Sequence, residues 1–430
     1  MVNIAGIVEA GLCHGCGTCA GVCPVGALEM QIVDGLWVPK LFSDKCISCG
    51  ICGKVCPGYK VDFESLNMEA FGKLPSDWST GNCLNYHVGH SNDQNLRYSS
   101  ASGGLASQIL IYALEQGLID GALVTRMSQV HPLESETFIA RSREEIVAAS
   151  KSKYCPVAAN YALKDILHEK GRFAVVGLPC HIHGVRKAEQ LYPELRKKIV
   201  LHLGLMCSHM VSFAGTEFVV GKLNVDKDHV TDIAYRGSGW PGAMKVTSKE
   251  GSVSIPLVGS WRSYWPVFSS FLFTPMRCTM CPDQLAELAD ISLGDAWLPE
   301  FRGDKVGESI LVTRTQFAER LLSNLQSDGS ISLSPVSLEK VKRSQAVNLR
   351  FKKDDFSTRF AMLKVINHQT PIFVPDVSKR FSFLAFLRAL FIFMSIKLSL
   401  NNRVMSFFAR FPFPFFRLYS GIYKVLSIGR

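Results

Sequence analysis

Acidic side chains are missing from the last 54 residues of this chain: from Val377 to Arg430 there are nine Lys or Arg and no Asp or Glu. A long apolar run is missing too. Phe381 to Ile396 is strongly apolar, but Arg388 interrupts it, and only eight uncharged residues separate Arg388 from Lys397. A spanning helix needs about 20 mostly apolar residues, so none is expected there. The N-terminus has no charged segment leading into an apolar one, so a secretory signal is not expected and the expected location is the cytoplasm. No Walker A sequence occurs, which leaves nucleotide hydrolysis without support. Gly237-Ser-Gly-Trp-Pro-Gly242 spells G-x-G-x-x-G, but it leads into a strand-like run near Met244. A dinucleotide turn must open a helix, so this one is rejected.

What is present is a folding chain rich in thiols. The sequence has 430 residues, 47% of them hydrophobic, and 14 cysteines. That composition predicts a globular protein of two or three domains. The net charge of +10 is concentrated in the tail, since the first 376 residues carry 38 basic and 37 acidic side chains.

Two cysteine runs dominate. Cys13, Cys16, Cys19 and Cys23 precede Pro24, and Cys46, Cys49, Cys52 and Cys56 precede Pro57. Each reads C-x2-C-x2-C-x3-C-P, the bacterial ferredoxin spacing for cubane [4Fe–4S] clusters. Soft thiolates suit iron–sulfur iron, and the fourth cysteine of such a run crosses to the other cluster. One cluster is therefore assigned to Cys13, Cys16, Cys19 and Cys56, and the other to Cys46, Cys49, Cys52 and Cys23. Zinc fits poorly, because it prefers paired C-x2-C hooks across a longer loop. Cluster thiolates also need reducing surroundings.

Residues 1–62 read as this two-cluster module and 63–85 as a linker. From Tyr86 an α/β pattern begins. A helix is predicted over 105–116 after Ser102-Gly103-Gly104, and another over 157–170. Strand 173–176, helix 179–190 and strand 199–206 form a βαβ unit, so the two strands are expected to be parallel. Cys180 and Cys207 then stand at the carboxyl ends of neighbouring strands, where open α/β sheets bind ligands. Cys278 and Cys281 add a C-x2-C hook. Four such thiols suffice for a third [4Fe–4S] cluster, while zinc and free thiols remain open on spacing alone. Cys83 and Cys155 read as ordinary thiols.

Seven segments then occur in a recognisable order. They are Tyr98-Ser-Ser-Ala-Ser-Gly-Gly104, Lys151-Ser-Lys-Tyr154, Gly177-Leu-Pro-Cys-His-Ile-His-Gly184, Gly204-Leu-Met-Cys207, Tyr235-Arg-Gly-Ser-Gly-Trp-Pro-Gly242, Arg277-Cys-Thr-Met-Cys281 and Ala289-Asp-Ile-Ser-Leu-Gly-Asp-Ala-Trp297. Over residues 86–340 the chain resembles the beta-subunit family of coenzyme F420 hydrogenases and dehydrogenases. Chlorophyll-pathway reductases of plants and cyanobacteria are relatives. The resemblance implies an FAD-containing electron-transfer domain with its own cluster, held by Cys180, Cys207, Cys278 and Cys281. It implies exchange of electrons between ferredoxin, F420 or a quinone and the flavin, with direct reduction of an organic substrate in some members; a redox partner subunit is a separate expectation.

For the FAD pyrophosphate, Ser102, Gly103 and Gly104 would supply N–H groups at a helix start, and Lys151 and Lys153 charge. On the residues alone Ser102 is an N-cap and the lysines a solvated surface; the resemblance turns them toward the flavin. His181 and His183 flank Cys180, and Asp290 and Asp295 lie at a strand, but no catalytic acid is assigned.

The expected fold is thus an α+β ferredoxin-like two-cluster module, then an α/β flavin and Fe–S domain, then a basic amphipathic helical tail. The boundaries are 1–62, the linker 63–85, an N-terminal-like region 86–170, a C-terminal-like region 171–340, a connecting region 341–376, and the tail 377–430. Eleven of the 27 Phe fall in that tail, and Arg403, Arg410, Arg417 and Lys424 recur every seven residues. Such a segment fits the surface of an anionic membrane leaflet, with docking on this chain or a partner as the alternative. Nucleic acid is not expected to bind an apolar tail. The expected function is an iron–sulfur flavoprotein oxidoreductase acting on a small molecule (F420, a quinone or a biosynthetic intermediate). The alternatives are an electron-relay subunit, or an assembly protein with structural clusters.

Overall fold

The computed structural model describes residues 3–376 and 381–428. Its fifteen strands among those residues are β1 Leu28–Val33, β2 Leu36–Leu41, β3 Lys60–Asp62, β4 Tyr86–Ser91, β5 Gly121–Met127, β6 Ser135–Ala140, β7 Phe173–Gly177, β8 Ile199–Leu205, β9 Val230–Ala234, β10 Ala243–Ser248, β11 Gly251–Pro256, β12 Ile291–Asp295, β13 Ser309–Thr313, β14 Ile331–Pro335 and β15 Ile372–Val374. Eight of them build one mixed sheet in the order β14-β4-β13-β12-β8-β7-β5-β6. The central strands β12, β8, β7 and β5 are mutually parallel, and the flanks are antiparallel. The β7–helix–β8 unit has the parallel pairing that its spacing predicts. Strand β13 is buried along its whole length, with an apolar centre of Ile310, Leu311 and Val312, as a sheet covered by helices on both faces requires.

The ferredoxin-like module packs into this sheet rather than hanging from it. One core contains Ile7, Leu12, Val22 and Val55 from the module together with Leu163, Phe173, Ile182 and Phe356 from the remainder. The helix Pro179–Leu191 makes the contact. A Cβ at Gly184 would collide with Thr18 Oγ1 on the short cluster-bearing helix Thr18–Gly21, so close approach demands glycine there. Asn160 Nδ2 donates to Thr18 Oγ1 and to the His181 carbonyl, both at 2.8 Å, which fixes that junction.

Several sequence expectations change here. The segment 63–85 is not all linker. Phe63–Phe71 is a helix capped by Asp62, whose carboxylate accepts from Ser65 N–H at 3.1 Å, and closed by Gly72. The helix expected over 157–170 is a 3-10 turn, Ala159–Ala162, followed by helix Leu163–His168, because Asn160 N–H is spent on the Cys16 carbonyl. Residues 341–376 also return to the module, where β15 pairs in parallel with β3. Gly237–Gly242 leads into β10, not a helix.

The tail forms three helices, Phe383–Ser399, Asn402–Phe408 and Phe413–Ile428; residues 377–380 and 429–430 of the expected segment lie outside the described residues. Among the described residues no single helix is long and apolar enough to cross a membrane, and the first two helices bend by 99° at their junction. The inner face packs on the body. Arg388 is buried and donates twice to the Asp355 carboxylate, at 2.8 and 2.6 Å. Phe416 and Tyr423 are buried as well.

Candidate functional site

The two ferredoxin runs turn at residues with left-handed backbone. Gly15 and Gly17 have φ of 71° and 81°, and Ser48 and Gly50 have φ of 55° and 72°. These turns aim N–H groups at sulfur. Gly15 donates to Cys13 Sγ at 3.3 Å, Ala27 to Cys23 Sγ at 3.3 Å, and Ser48 to Cys46 Sγ at 3.5 Å. Burial pushes the Cys13 thiol up to about 12, with Cys56 adding to it. Burial, then Cys56 and Cys16, raise Cys19 well above its ordinary value. Cys52 is raised by burial and by Cys49, Cys23 and Cys46. Cys56 therefore stands among Cys13, Cys16 and Cys19, and Cys23 among the second run. The two groups differ in access: Cys16, Cys19 and Cys56 are buried, whereas Cys46 and Cys49 are exposed.

The other four thiols come together beside the first group. Cys180 lies in the first turn of its helix after β7, and Cys207 lies two residues past β8 with its N–H on the Gln284 carbonyl at 2.9 Å. Cys278 sits in the short helix Met276–Thr279, with Cys281 just beyond it. All four line one small void of about 30 Å3, together with His14, Asp283 and Lys352. Burial raises Cys207 to about 12 and pushes Cys180 well up, so metal binding here would release protons. Two cations offset the thiolate charge. Lys352 Nζ donates to the Cys278 carbonyl at 3.1 Å. Arg277 donates to the carbonyls of Met280 at 2.8 Å, Pro57 at 3.2 Å and Gly58 at 3.3 Å, tying the Cys-Pro end of the second run to the C-x2-C hook. No three His, Cys, Asp or Glu among the described residues close on a single-ion site. Each thiolate of a cubane binds a separate iron, and four thiols around one void provide that donor set. Cys83 and Cys155 do not line this void; Cys155 faces a larger cavity.

That larger cavity, of about 310 Å3, opens at the carboxyl ends of the parallel strands. Ser102, Gly104, Lys151 and Lys153 line it, and Gly103 does not. Gly103 N–H donates to Ser309 Oγ at 3.0 Å, and a Cβ there would lie 2.5 Å from the Gly89 carbonyl oxygen, so Gly103 serves packing behind the cavity wall. Ser102 Oγ donates to the Glu308 carbonyl at 2.7 Å. The Lys153 ammonium is held by the carbonyls of Ala149, Ser150 and Lys151, and burial pulls it down to about 7. Lys151 is exposed and has a left-handed φ of 74°.

The residues present fit a flavin dinucleotide. Ser100 Oγ is buried at the cavity without any partner, at the approach to helix Leu105–Glu115, whose N-terminus offers free N–H groups. Flat aromatic walls are also present: Trp265 stacks on Phe268 at 4.8 Å, and His209 on Phe268 at 4.3 Å. Trp265, Phe268 and Trp297 were not anticipated from sequence, since single aromatics carry no spacing signal.

The tempting polar residues are otherwise engaged. His181 Nδ1 accepts from Leu178 N–H at 3.1 Å and its Nε2 donates to the Val157 carbonyl at 3.0 Å. His183 Nε2 bonds Asp283 at 2.8 Å. Asp295 is clamped by buried Arg236 at 2.8 and 3.0 Å and by Trp240 Nε1 at 2.9 Å. Asp290 bonds His202, which also reaches Glu189 at 2.7 Å.

The decisive feature is a shared wall. Val157, Leu178, His181, Cys207 and Met210 line both the four-cysteine void and the large cavity. A single layer of residues separates them.

Comparison with known proteins agrees with this architecture. Residues 12–60 match the 4Fe-4S dicluster domain. Residues 86–164 and 170–339 match, respectively, the N-terminal and the C-terminal models of "Coenzyme F420 hydrogenase/dehydrogenase, beta subunit". The chain belongs to the coenzyme F420 hydrogenase/dehydrogenase beta-subunit family and carries a 4Fe–4S dicluster domain at its N-terminal end. It is 26% identical to the coenzyme F420-dependent sulfite reductase of Methanocaldococcus jannaschii, covering 81% of this chain but only 51% of that one, so it spans about half of that relative. It is 27% identical to the coenzyme F420 hydrogenase subunit beta of Methanothermobacter thermautotrophicus, over 59% of this chain and 84% of that one. To one subunit of the F(420)H(2) dehydrogenase of Methanosarcina mazei it is 26% identical, over 77% of this chain and 88% of that one. A chain of the F420-reducing [NiFe] hydrogenase complex from Methanosarcina barkeri shares its fold, with a TM-score of 0.51, 22% identity, and coverage of 70% of this chain and 98% of that one.

Proposed function

We propose that this chain is an iron–sulfur flavoprotein oxidoreductase. It would pass electrons between two ferredoxin-type clusters, a third cluster on Cys180, Cys207, Cys278 and Cys281, and FAD, to or from a small molecule such as F420, a quinone or a biosynthetic intermediate. The observation that carries this reading is the shared wall: Cys207 and Met210 border both the thiol void and the cavity. Bound FAD would supply the exchange between one-electron carriers and two-electron substrates. The chain's own residues would do the rest. Ser100, the helix start at Gly104, and Lys151 would hold the pyrophosphate, and Lys153 would stiffen the loop beneath it. Trp265 and Phe268 would present a flat apolar wall and exclude water. Lys352 and Arg277 would balance the charge of the third site. Electrons would enter or leave through Cys46 and Cys49, which are exposed.

Anaerobic purification with iron, sulfide and flavin quantitation tests the reading. About twelve irons and one FAD per chain are expected, at four irons per cubane. About eight irons without flavin would contradict it.

A second reading, a relay subunit dependent on a partner, is favoured by the exposed edge at Cys46, Ile47 and Cys49. Activity toward a small acceptor by the isolated chain would exclude it. The tail carries a separate proposal. Its outer face exposes Phe383, Leu390, Met394 and Phe407 beside Lys397, Arg403 and Arg410, which suits the cytoplasmic surface of an anionic bilayer. Because the inner face holds the body, the test is substitution rather than truncation. Arg403, Arg410, Arg417 and Lys424 changed together to Glu should abolish flotation with anionic liposomes; undiminished flotation would dismiss the idea.

A further inference from the structure

His14 is the residue the proposed scheme has not used. It sits between Cys13 and Cys16 in sequence, yet its ring lines the void formed by Cys180, Cys207, Cys278 and Cys281. Both ring nitrogens are buried, and neither has a hydrogen-bond partner. Every other histidine near the site is engaged: His181 with Leu178 and Val157, His183 with Asp283, and His209 with the Phe268 carbonyl. A buried polar atom without a partner is uncommon and needs a reason. Here two of them share one ring, and that ring faces a space walled by four sulfurs. An imidazole carries an N–H on at least one nitrogen. Bridging sulfide and thiolate sulfur are hydrogen-bond acceptors, and such bonds help set the potential of a cluster.

We propose that His14 donates a hydrogen bond to a sulfur of the group held by Cys180, Cys207, Cys278 and Cys281, and that it is the contact through which the first ferredoxin site adjusts the third. This rests on the third-cluster reading above. The backbone of His14 belongs to the loop that presents Cys13 and Cys16, while its side chain belongs to the other site. One residue thus touches both. A donor there stabilises the more negative, reduced state of the third site, so His14 raises its potential. It is a positioning and tuning residue rather than a catalytic one.

The test is an EPR-monitored redox titration of the full holoprotein, made beside His14→Phe and His14→Gln, with iron counted in each. Phe keeps a flat ring and loses the donor; Gln keeps a donor. Phe should retain about twelve irons and shift one of the three reduction steps toward lower potential. The expected shift is about tenfold in the reduced-to-oxidised ratio, which is about 59 mV for a one-electron couple. Gln should restore most of it. Twelve irons in Phe with all three steps unmoved would overturn the proposal while leaving the third cluster intact. Eight irons in the unsubstituted protein would overturn the cluster reading, and the proposal with it. If Phe sheds iron, the unsubstituted protein labelled with 15N-histidine decides. A histidine nitrogen hyperfine coupling to the reduced third site, lost in Gln, supports the assignment, and absence of any coupling contradicts it.

Discussion

The two ferredoxin runs are spelled alike and live in different surroundings. In one group Cys16, Cys19 and Cys56 are buried against the sheet domain; in the other Cys46 and Cys49 face solvent. Motif spacing decides what a thiol loop can bind, and tertiary packing decides what that loop can reach. The buried group leans on the four-cysteine void through Arg277, which donates to the Pro57 and Gly58 carbonyls. The exposed group also meets the sheet domain, where helix Ile51–Val55 packs on helix Pro179–Leu191, but Cys46 and Cys49 stay open to solvent, the side the proposed function gives to an external electron carrier.

Breaking the buried junction should have the largest effect. Arg277→Ala leaves three buried carbonyls without their donor, each worth about 1–3 kcal/mol. A loss of about 3 kcal/mol or more is expected in anaerobic denaturant unfolding. A change under 0.5 kcal/mol would show that the junction does not hold the two modules together. Arg388→Ala is expected to be comparable in size but located in the tail. It strands buried Asp355, and breaking a buried pair costs about 3–5 kcal/mol. Protease should then cut the C-terminal helices first; unchanged cutting would count against docking of the tail.

Solvent access should separate the two groups chemically. Mild oxidation in the presence of a chelator should strip about four irons at least tenfold faster than the rest, and Cys49→Ser should remove that fast phase. Uniform loss would erase the distinction between port and interior.

The smallest expected effect is on pH dependence. Burial opposes charge on His202, but the Glu189 and Asp290 carboxylates outweigh it and raise its pKa. Asp290 is held at about 2: burial works to raise it, but the His202 hydrogen bond and the Arg186 charge outweigh that. The His202 contribution is complete below about pH 6.5 and is lost as pH climbs through its higher folded value. The Asp290 contribution is complete above about pH 3.9 and is lost as pH falls toward 2. Thermal stability should therefore decline as pH rises above about 6.5, and His202→Gln should flatten that decline. Parallel curves for the two proteins would remove His202 as its source.

Much of this was legible because covalent spacing is local. Eight thiols announce themselves by distance along the chain alone. Cys180 and Cys207 could be brought together because β7 and β8 follow a βαβ rhythm that makes them parallel neighbours. The helix Phe63–Phe71 had its signals, Asp62 before it and Gly72 after it, yet they fell between stronger patterns. The return of β15 to β3, the clamp on Asp295 and the burial of Arg388 against Asp355 were not legible, because each joins residues far apart in sequence with no periodic trace. Gly103 looked like a phosphate donor for the same reason: its partner Ser309 lies 206 residues away.

The thiol void and the large cavity share Cys207, and the proposed electron path runs through it. Cys207→Ser, compared anaerobically with the unsubstituted protein, tests it most directly. About eight irons instead of twelve are expected, with flavin retained but no longer bleached when electrons are supplied to the N-terminal clusters. Twelve irons retained, or flavin bleaching at the unsubstituted rate, would contradict it.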